Sequence, residues 1–557
     1  MKFWIRKASG PVEIAPVPVI RVPSYVGFDS LLIFLIGLAI FSILPPPEFT
    51  HSDARYALFA QEMLRDGPGL FPTTYGSPYP DYPATSTLMI YGVSRLFGQV
   101  TPLSAILPTA IISALILVVT YRIGAIQSRK WGLAAVLFEL FTVEFLTLAR
   151  SISLDQCTSL ATALSFYLAY SSDCLGRKKR LWFLPVLWLL SFAVRGPIGL
   201  VIPVATTCAY DLWNLRFKRA LQTAALAGGM MILCIGALLL AAWIQGGMPF
   251  LHKVLAMQMM GRLAESGNGF AYYSYMSFTF YAVAYPVAIL VVMSKWWDLI
   301  RRKNEQDNLL GALSLWVVVV ILGMSIPSGK AMRYIISVVP ALSLIAAGMM
   351  IDASPRPLLL WTRRIFLGSC AWFPLILVVG IGAILLLDLE GKQQWRPPCV
   401  MAIVLSIPLM VIVWKFDRGW KGWIHKEMGL LAVGLGTYFL LNVLVANPID
   451  NAREQTRPFV ESVETLNANS PGQVVFFRVG PDADAIKFMA NRTEPIEPQF
   501  VQSLDSFWET KDRYYVITKE EVFQSLPAIE AARIKPLVRG RIGHHDFVAF
   551  SFTRGEP

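Results

Sequence analysis

Thirteen long apolar runs recur along this chain, separated by polar segments that carry most of its charge. They cover 28–45, 102–126, 131–149, 156–172, 181–194, 197–214, 220–244, 270–294, 309–327, 331–351, 365–388, 399–414 and 428–446. A bilayer core about 30 Å thick needs roughly 20 apolar residues as a helix, so the pattern predicts 13 transmembrane helices. The pair near 181–214 is short and is split by Arg195-Gly196-Pro197. The pattern changes after residue 446. Strand-like stretches GQVVFFRV (472–479), RYYVIT (513–518) and DFVAFSF (546–552) alternate with helix-like DADAIKFMAN and KEEVFQSLPAIEAARI. Residues 447–557 therefore read as a small α/β domain following an α-helical polytopic membrane domain. Residues 1–27 are basic and proline-rich with no apolar h-region, so the first run is expected to stay as an anchor behind a cytoplasmic tail.

Composition supports the membrane reading. Hydrophobic residues make up 55% and charged residues 15%, against roughly 25% charged in soluble domains; mean hydropathy is +0.53. A net charge of +12 in a soluble protein would suggest nucleic acid. Here the cations lie between apolar runs, and topology explains them without a nucleic-acid partner. With the N-terminus in the cytoplasm, the tail and cytoplasmic loops hold 25 Lys/Arg, the opposite loops 11, and the region after residue 446 the other 13. That bias obeys the positive-inside rule, and an odd number of spans puts the α/β domain outside the cytoplasm. The six cysteines lie in or beside apolar runs without CxxC spacing, so neither disulfides nor a cysteine metal site is expected. His544 and His545 read as surface residues at a turn.

Sorting the ionisable residues by side gathers a set on the outer face. The loop 46–101 carries Asp53, Arg55 and Asp81; ARSISLDQ adds Arg150 and Asp155; then come Arg195, Arg262, Lys330, Arg333 and Tyr334. Five of these have a plain structural reading. Asp53 and Asp155 can satisfy the N-termini of helices, while Arg195, Lys330 and Arg333 can anchor helix ends by snorkelling. Thr50 or Ser52 can cap a helix from THSDARYALFAQEML that Gly67 ends, and Asp53, Tyr56, Ala57, Ala60, Met63 and Leu64 share one of its faces. Taken together, carboxylates beside cations suit transfer from a phosphate-linked donor: a carboxylate removes a proton from the acceptor, and cations stabilise a departing phosphate. A transporter would place its charges nearer the midplane.

Several stretches resemble one family. SDARYALFAQEML, FPTTYGSPYPDYP and YGVSRLFG are similar to the first outer loop of bacterial polyprenyl-phosphate-sugar glycosyltransferases, in particular the lipid A 4-amino-4-deoxy-L-arabinose transferases of the protein mannosyltransferase superfamily. ARSISLDQCTSLATALSFYL, AVRGPIGLVIP, GRLAE and IPSGKAMRYIISVVPALSLI follow in the family's order, and the likeness runs through about residues 28–350. The resemblance implies the GT-C fold over 28–446, with outer-loop helices at 46–101 and 245–269, in a bacterial inner-membrane protein. It implies an inverting transfer from a polyprenyl-phosphate sugar to a lipid, glycan or protein acceptor on the outer face, among membrane lipids. By matched position Asp53 and Asp155 become the acidic pair, with Arg55, Tyr56, Asp81, Tyr82, Arg195, Arg262, Lys330, Arg333 and Tyr334 binding donor or acceptor. Three departures stand out. Ser52 falls where the family has its leading Asp, Tyr82 replaces a Lys, and Gln258 and Met259 precede the GRF-like motif where relatives carry an acidic residue and a His. The last argues against a divalent metal there, and all three point to a different sugar or acceptor. A lipid or glycolipid transporter, or a non-catalytic relative, remain the alternatives.

Overall fold

A computed structural model describes residues 25–257, 268–302, 304–351, 356–387, 392–417, 426–452, 455–493, 496–504, 513–527 and 534–552. Helices α1 (Tyr25–Ser42), α2 (His51–Asp66) and α3 (Thr85–Phe97) come first, with the two-stranded ribbon β1 (Thr73–Thr74) and β2 (Ser77–Pro78) between the last two. The membrane domain continues with α4 (Pro102–Gln127), α5 (Arg129–Leu140), α6 (Val143–Ala149), α7 (Leu154–Cys174), α8 (Leu184–Arg195), α9 (Pro197–Trp213), α10 (Phe217–Leu255), α11 (Tyr272–Phe280) and α12 (Ala284–Arg301). Then come α13 (Glu305–Ser325), a tight turn Met332–Val338 leading into α14 (Val339–Ile351), α15 (Pro357–Leu386), α16 (Lys392–Asp417) and α17 (Lys426–Leu441). A π-helical turn, Asn442–Ala446, joins α17 to α18 (Asn447–Asn451).

Every apolar run falls on a helix or a bent helix pair, but fewer helices than expected qualify as full spans. Among the described residues eight are long and apolar enough to cross a bilayer, or ten if each bent pair counts once. The bent pairs are α5–α6, at 77°, and α11–α12, at 116°. The other three expected spans are α7, α8 and α9. α7 owes its lower hydropathy to Thr158, Ser159, Thr162, Ser165, Ser171 and Ser172, all buried against protein rather than lipid. α8 and α9 are short and meet at Gly196 and Pro197, where Gly196 takes φ +64°. α10 runs past its apolar stretch and kinks at Gly246 and Gly247, the latter at φ +65°, a conformation that costs glycine little.

The C-terminal domain holds α19 (Thr456–Asn469), β3 (Gln473–Phe477), α20 (Asp484–Ala490), β4 (Gln499–Val501), β5 (Tyr514–Lys519), α21 (Glu520–Gln524), β6 (Lys535–Ile542) and β7 (His545–Phe552). Its sheet has the order β4-β3-β5-β7-β6. β3 pairs parallel with β4 and β5, while β7 pairs antiparallel with β5 and β6. Strand alternation sorts the core: Val474 and Phe476 face α19 and α20, whereas Val475 and Phe477 face the cluster containing Val522 and Phe523. The three expected strands are present, with β4 and β6 in addition. His544 lies in the β6–β7 turn, and His545 opens β7 with Nδ1 3.1 Å from Asp484 Oδ2. The face bearing α20 also covers α2, since Ala54, Ala57, Leu58 and Ala60 share one apolar cluster with Phe488 and Met489.

Candidate functional site

The first turn of α7 carries the centre of the site. Asp155 does not bond to its own helix end. Its Oδ1 lies 2.7 Å from Nε of Arg195 and its Oδ2 3.8 Å from Nε of Arg333. Asp155 and Arg195 are both buried, whereas the Arg333 side chain keeps 43% of its exposure. Such a pair is tolerated out of water only because the charges meet at hydrogen-bond distance and find further partners. Arg195 finds them on both sides: Nη1 donates to the Tyr82 hydroxyl at 3.0 Å, and the guanidinium lies 5.1 Å from the Tyr82 ring centre and 5.2 Å from that of Tyr334. Arg333 lies 5.6 Å from the Tyr334 ring. Tyr82 thus holds an arginine in place by ring and hydroxyl together.

Asp53 approaches from α2. Thr50 occupies the N-cap of that helix, but its hydroxyl makes no capping hydrogen bond, and Gly67 ends the helix at φ +93° as its position suggested. Asp53 does not cap α2; its Oδ1 accepts the Ile152 N–H at 3.2 Å. That bond ties the first outer helix to the loop just before Asp155. Burial raises the Asp53 carboxyl to about 7, opposed by the Ile152 N–H and by Arg333. Burial likewise raises the Tyr56 phenol, which feels the charges of Asp81, Arg195 and Asp155. A small pocket bounded by Ser52, Tyr56, Ser151, Asp155, Arg195 and Arg333 lies among these groups.

Not every expected residue joins the cluster. Arg55 points to Tyr79, with its guanidinium 5.4 Å from that ring. Lys330 is half-buried and donates to the Asn268 carbonyl at 2.9 Å. Arg262, Gln258 and Met259 lie outside the described residues. Arg150 is structural: it donates to the carbonyls of Ile40, Ile43 and Leu44 at 2.6, 2.8 and 2.9 Å, closing the end of α1. One acidic residue was overlooked. Glu144 on α6 interacts electrostatically with Arg333 and Asp155. Its signal was present as a carboxylate inside an apolar run, the setting in which ionisable groups are most often functional.

A family model described as dolichyl-phosphate-mannose-protein mannosyltransferase matches residues 47–253. An undecaprenyl phosphate-alpha-4-amino-4-deoxy-L-arabinose arabinosyl transferase from Pseudomonas fluorescens is 25% identical over 58% of this chain and 60% of its own length. The alignment thus spans about three-fifths of that relative. A second, from Shewanella sediminis, is 23% identical over 80% of this chain and 82% of its own. The crystal structure of ArnT from Cupriavidus metallidurans bound to undecaprenyl phosphate superposes with a TM-score of 0.68 at 14% identity, covering 94% of this chain and 97% of that one. The chain has the fold of that protein, a helical membrane domain followed by a small sheet domain. The apo form of the same ArnT superposes equally well, at TM-score 0.68 and 15% identity. The superposition extends the likeness beyond the stretch legible in the motifs, through the later helices and the C-terminal sheet domain. The family-matched segment contains Asp53, Asp81, Asp155 and Arg195; Arg333 and Tyr334 reach the same cluster from outside it.

Proposed function

We propose that this chain is an inverting glycosyltransferase that moves a sugar from a polyprenyl-phosphate donor to an acceptor at the outer face of the inner membrane. The observation that carries the reading is the Asp155–Arg195–Arg333 cluster with Asp53 held beside it on the Ile152 N–H. The names of the relatives support the donor class, and the charge bias between loops supports a cytoplasmic N-terminus with the sheet domain on the opposite side. An apolar groove of about 320 Å³ between α12, α13 and α14 would take a segment of the isoprenoid tail. It begins at Ser274, next to Tyr273, which interacts electrostatically with Tyr334 and Asp155.

Arg333, half-exposed and only loosely paired, receives the donor phosphate. Asp155 and the Tyr82 and Tyr334 rings hold Arg195 rigid behind it. Asp53 takes the proton of the acceptor as its oxygen attacks the anomeric carbon from the face opposite the phosphate. The bond from that carbon to the phosphate oxygen breaks, and the electron pair leaves with the lipid phosphate. Loss of the base costs about 10²–10⁴-fold in rate. The test is release of lipid phosphate from a labelled polyprenyl-phosphate sugar by purified protein in nanodiscs. Full activity in both Asp53→Asn and Asp155→Asn would sink the assignment.

A further inference from the structure

Asp53 also lines a second cavity, of about 410 Å³, bounded by the end of α1, α6, α16 and the π-turn into α18. Ser151 borders both this cavity and the small pocket at Asp155, so the two meet at the loop that Asp53 holds. The lining is rich in groups that both donate and accept hydrogen bonds: Asn442, Asn447, Asn451, Thr50, Thr147 and Ser151. The Asn447 and Asn451 side chains are partly buried and have no hydrogen-bond partner among the described residues. Asn442 begins a π-helical turn, a rare geometry that recurs at functional sites.

The charges of this cavity differ from those of the pocket at Asp155. Among the described residues its carboxylates are Asp53 and Asp450, and its one cation, Arg150, already spends its N–H groups on the carbonyls of Ile40, Ile43 and Leu44 at the end of α1. A phosphate would bring more negative charge toward two carboxylates with little cation free to meet it, and like-charge juxtaposition is costly. Sugar hydroxyls need the opposite: neutral amides and hydroxyls that serve as donor or acceptor at need.

We propose that this cavity is the acceptor site and that it takes a neutral carbohydrate, whose hydroxyl, rather than a phosphate oxygen, receives the sugar. The proposal rests on the transferase reading and names its acceptor class. The acceptor O–H gives its proton to Asp53, its oxygen bonds to the anomeric carbon, and the bond to the donor phosphate breaks. The product is a glycoside, and the lipid leaves as its phosphate.

Two probes of matched shape separate the possibilities: methyl β-lactoside, and lactose 1-phosphate. Calorimetric titration of the full chain in nanodiscs should show the neutral probe binding and the phosphate ester at least tenfold weaker. Asn447→Ala and Asn451→Ala should each weaken the neutral probe about tenfold, the worth of one or two hydrogen bonds, with an unchanged melting temperature. Tighter binding of the phosphate ester, no binding of the neutral probe, or indifference to both substitutions overturns the proposal. A transfer arm uses labelled donor with bacterial envelope glycolipid: a product stable to mild acid is a glycoside and supports it. An acid-labile glycosyl phosphate overturns it while leaving the transferase reading intact. If the donor is never cleaved, the transferase reading fails, and with it the role of this cavity as an acceptor site.

Discussion

At the scale of single residues, Asp53 makes the sharpest commitment. Its carboxyl is raised by burial from 3.8 to about 7. As a base it acts only when ionised, so kcat/KM is expected to rise about tenfold per pH unit below 7 and to level off above it. Asp53→Asn should remove that limb along with most of the rate; an unchanged acid limb in this variant would assign the ionisation elsewhere. The stability sign is opposite. Between pH 3.8 and about 7 the folded chain holds a proton that the unfolded chain has released, so stability falls as pH rises through this window, and Asp53→Asn should flatten that slope. Arg195 makes a different commitment. Replacing it with Met leaves Asp155 buried with only the half-exposed Arg333, 3.8 Å away. A loss below the ~3–5 kcal/mol of a fully broken buried pair is expected, read by unfolding in detergent. Arg195→Lys keeps the charge but loses the planar group between the Tyr82 and Tyr334 rings, and it should fall between the two. The identities of these residues were legible in the sequence, because charge is rare near a membrane. Their partners were not: Asp53 meeting a backbone N–H 99 residues away leaves no local mark.

The elements were legible as apolar runs, and their geometry was not. Hydropathy marks where a helix lies but not whether it bends, so α5–α6 and α11–α12 read as straight spans. α7 was recognised because its length and Ala/Leu content outweigh its hydroxyls, although only burial in protein makes those hydroxyls tolerable. Close helix contact does leave a trace, in glycine. A Cβ on Gly132 would sit 2.5 Å from the Tyr121 carbonyl oxygen, and one on Gly124 2.8 Å from the Gly132 backbone. The α4–α5 hairpin is therefore closed by backbone-to-backbone packing, as small residues allow between membrane helices. Gly132→Ala should lower thermal stability in detergent markedly. Gly228→Ala, on α10 with open space around it, should leave the melt within about 0.5 kcal/mol of the parent or raise it. Equal effects of the two would refute the packing argument.

Across the whole molecule, the sheet domain is fastened to the membrane domain through the first outer loop. Asn491 donates to the Phe49 carbonyl at 2.9 Å and accepts the Phe49 N–H at 2.8 Å, and Gln61 donates to the Ala490 carbonyl at 2.9 Å. Asn491→Ala is expected to loosen this clasp by about 1–3 kcal/mol, seen as faster hydrogen exchange in α2 and α20; unaltered exchange would show that apolar contact alone holds the domain. The sequence showed that such a domain exists, but a clasp joining residues more than 400 positions apart could not be seen in it. The first helix is bound with a similar reach. Near one end Asp29 meets Arg129 at 2.8 Å and the Tyr121 hydroxyl at 2.5 Å, and at the other the three terminal carbonyls meet Arg150. Both arginines emerge from the ribosome 100 residues or more after the groups they bind. At ~5–20 residues per second the nascent first helix waits on the order of ten seconds with neither end secured. Biogenesis must therefore hold this helix by other means, and a chain stalled before Arg129 should stay bound to insertion machinery that a chain stalled after Arg150 has released.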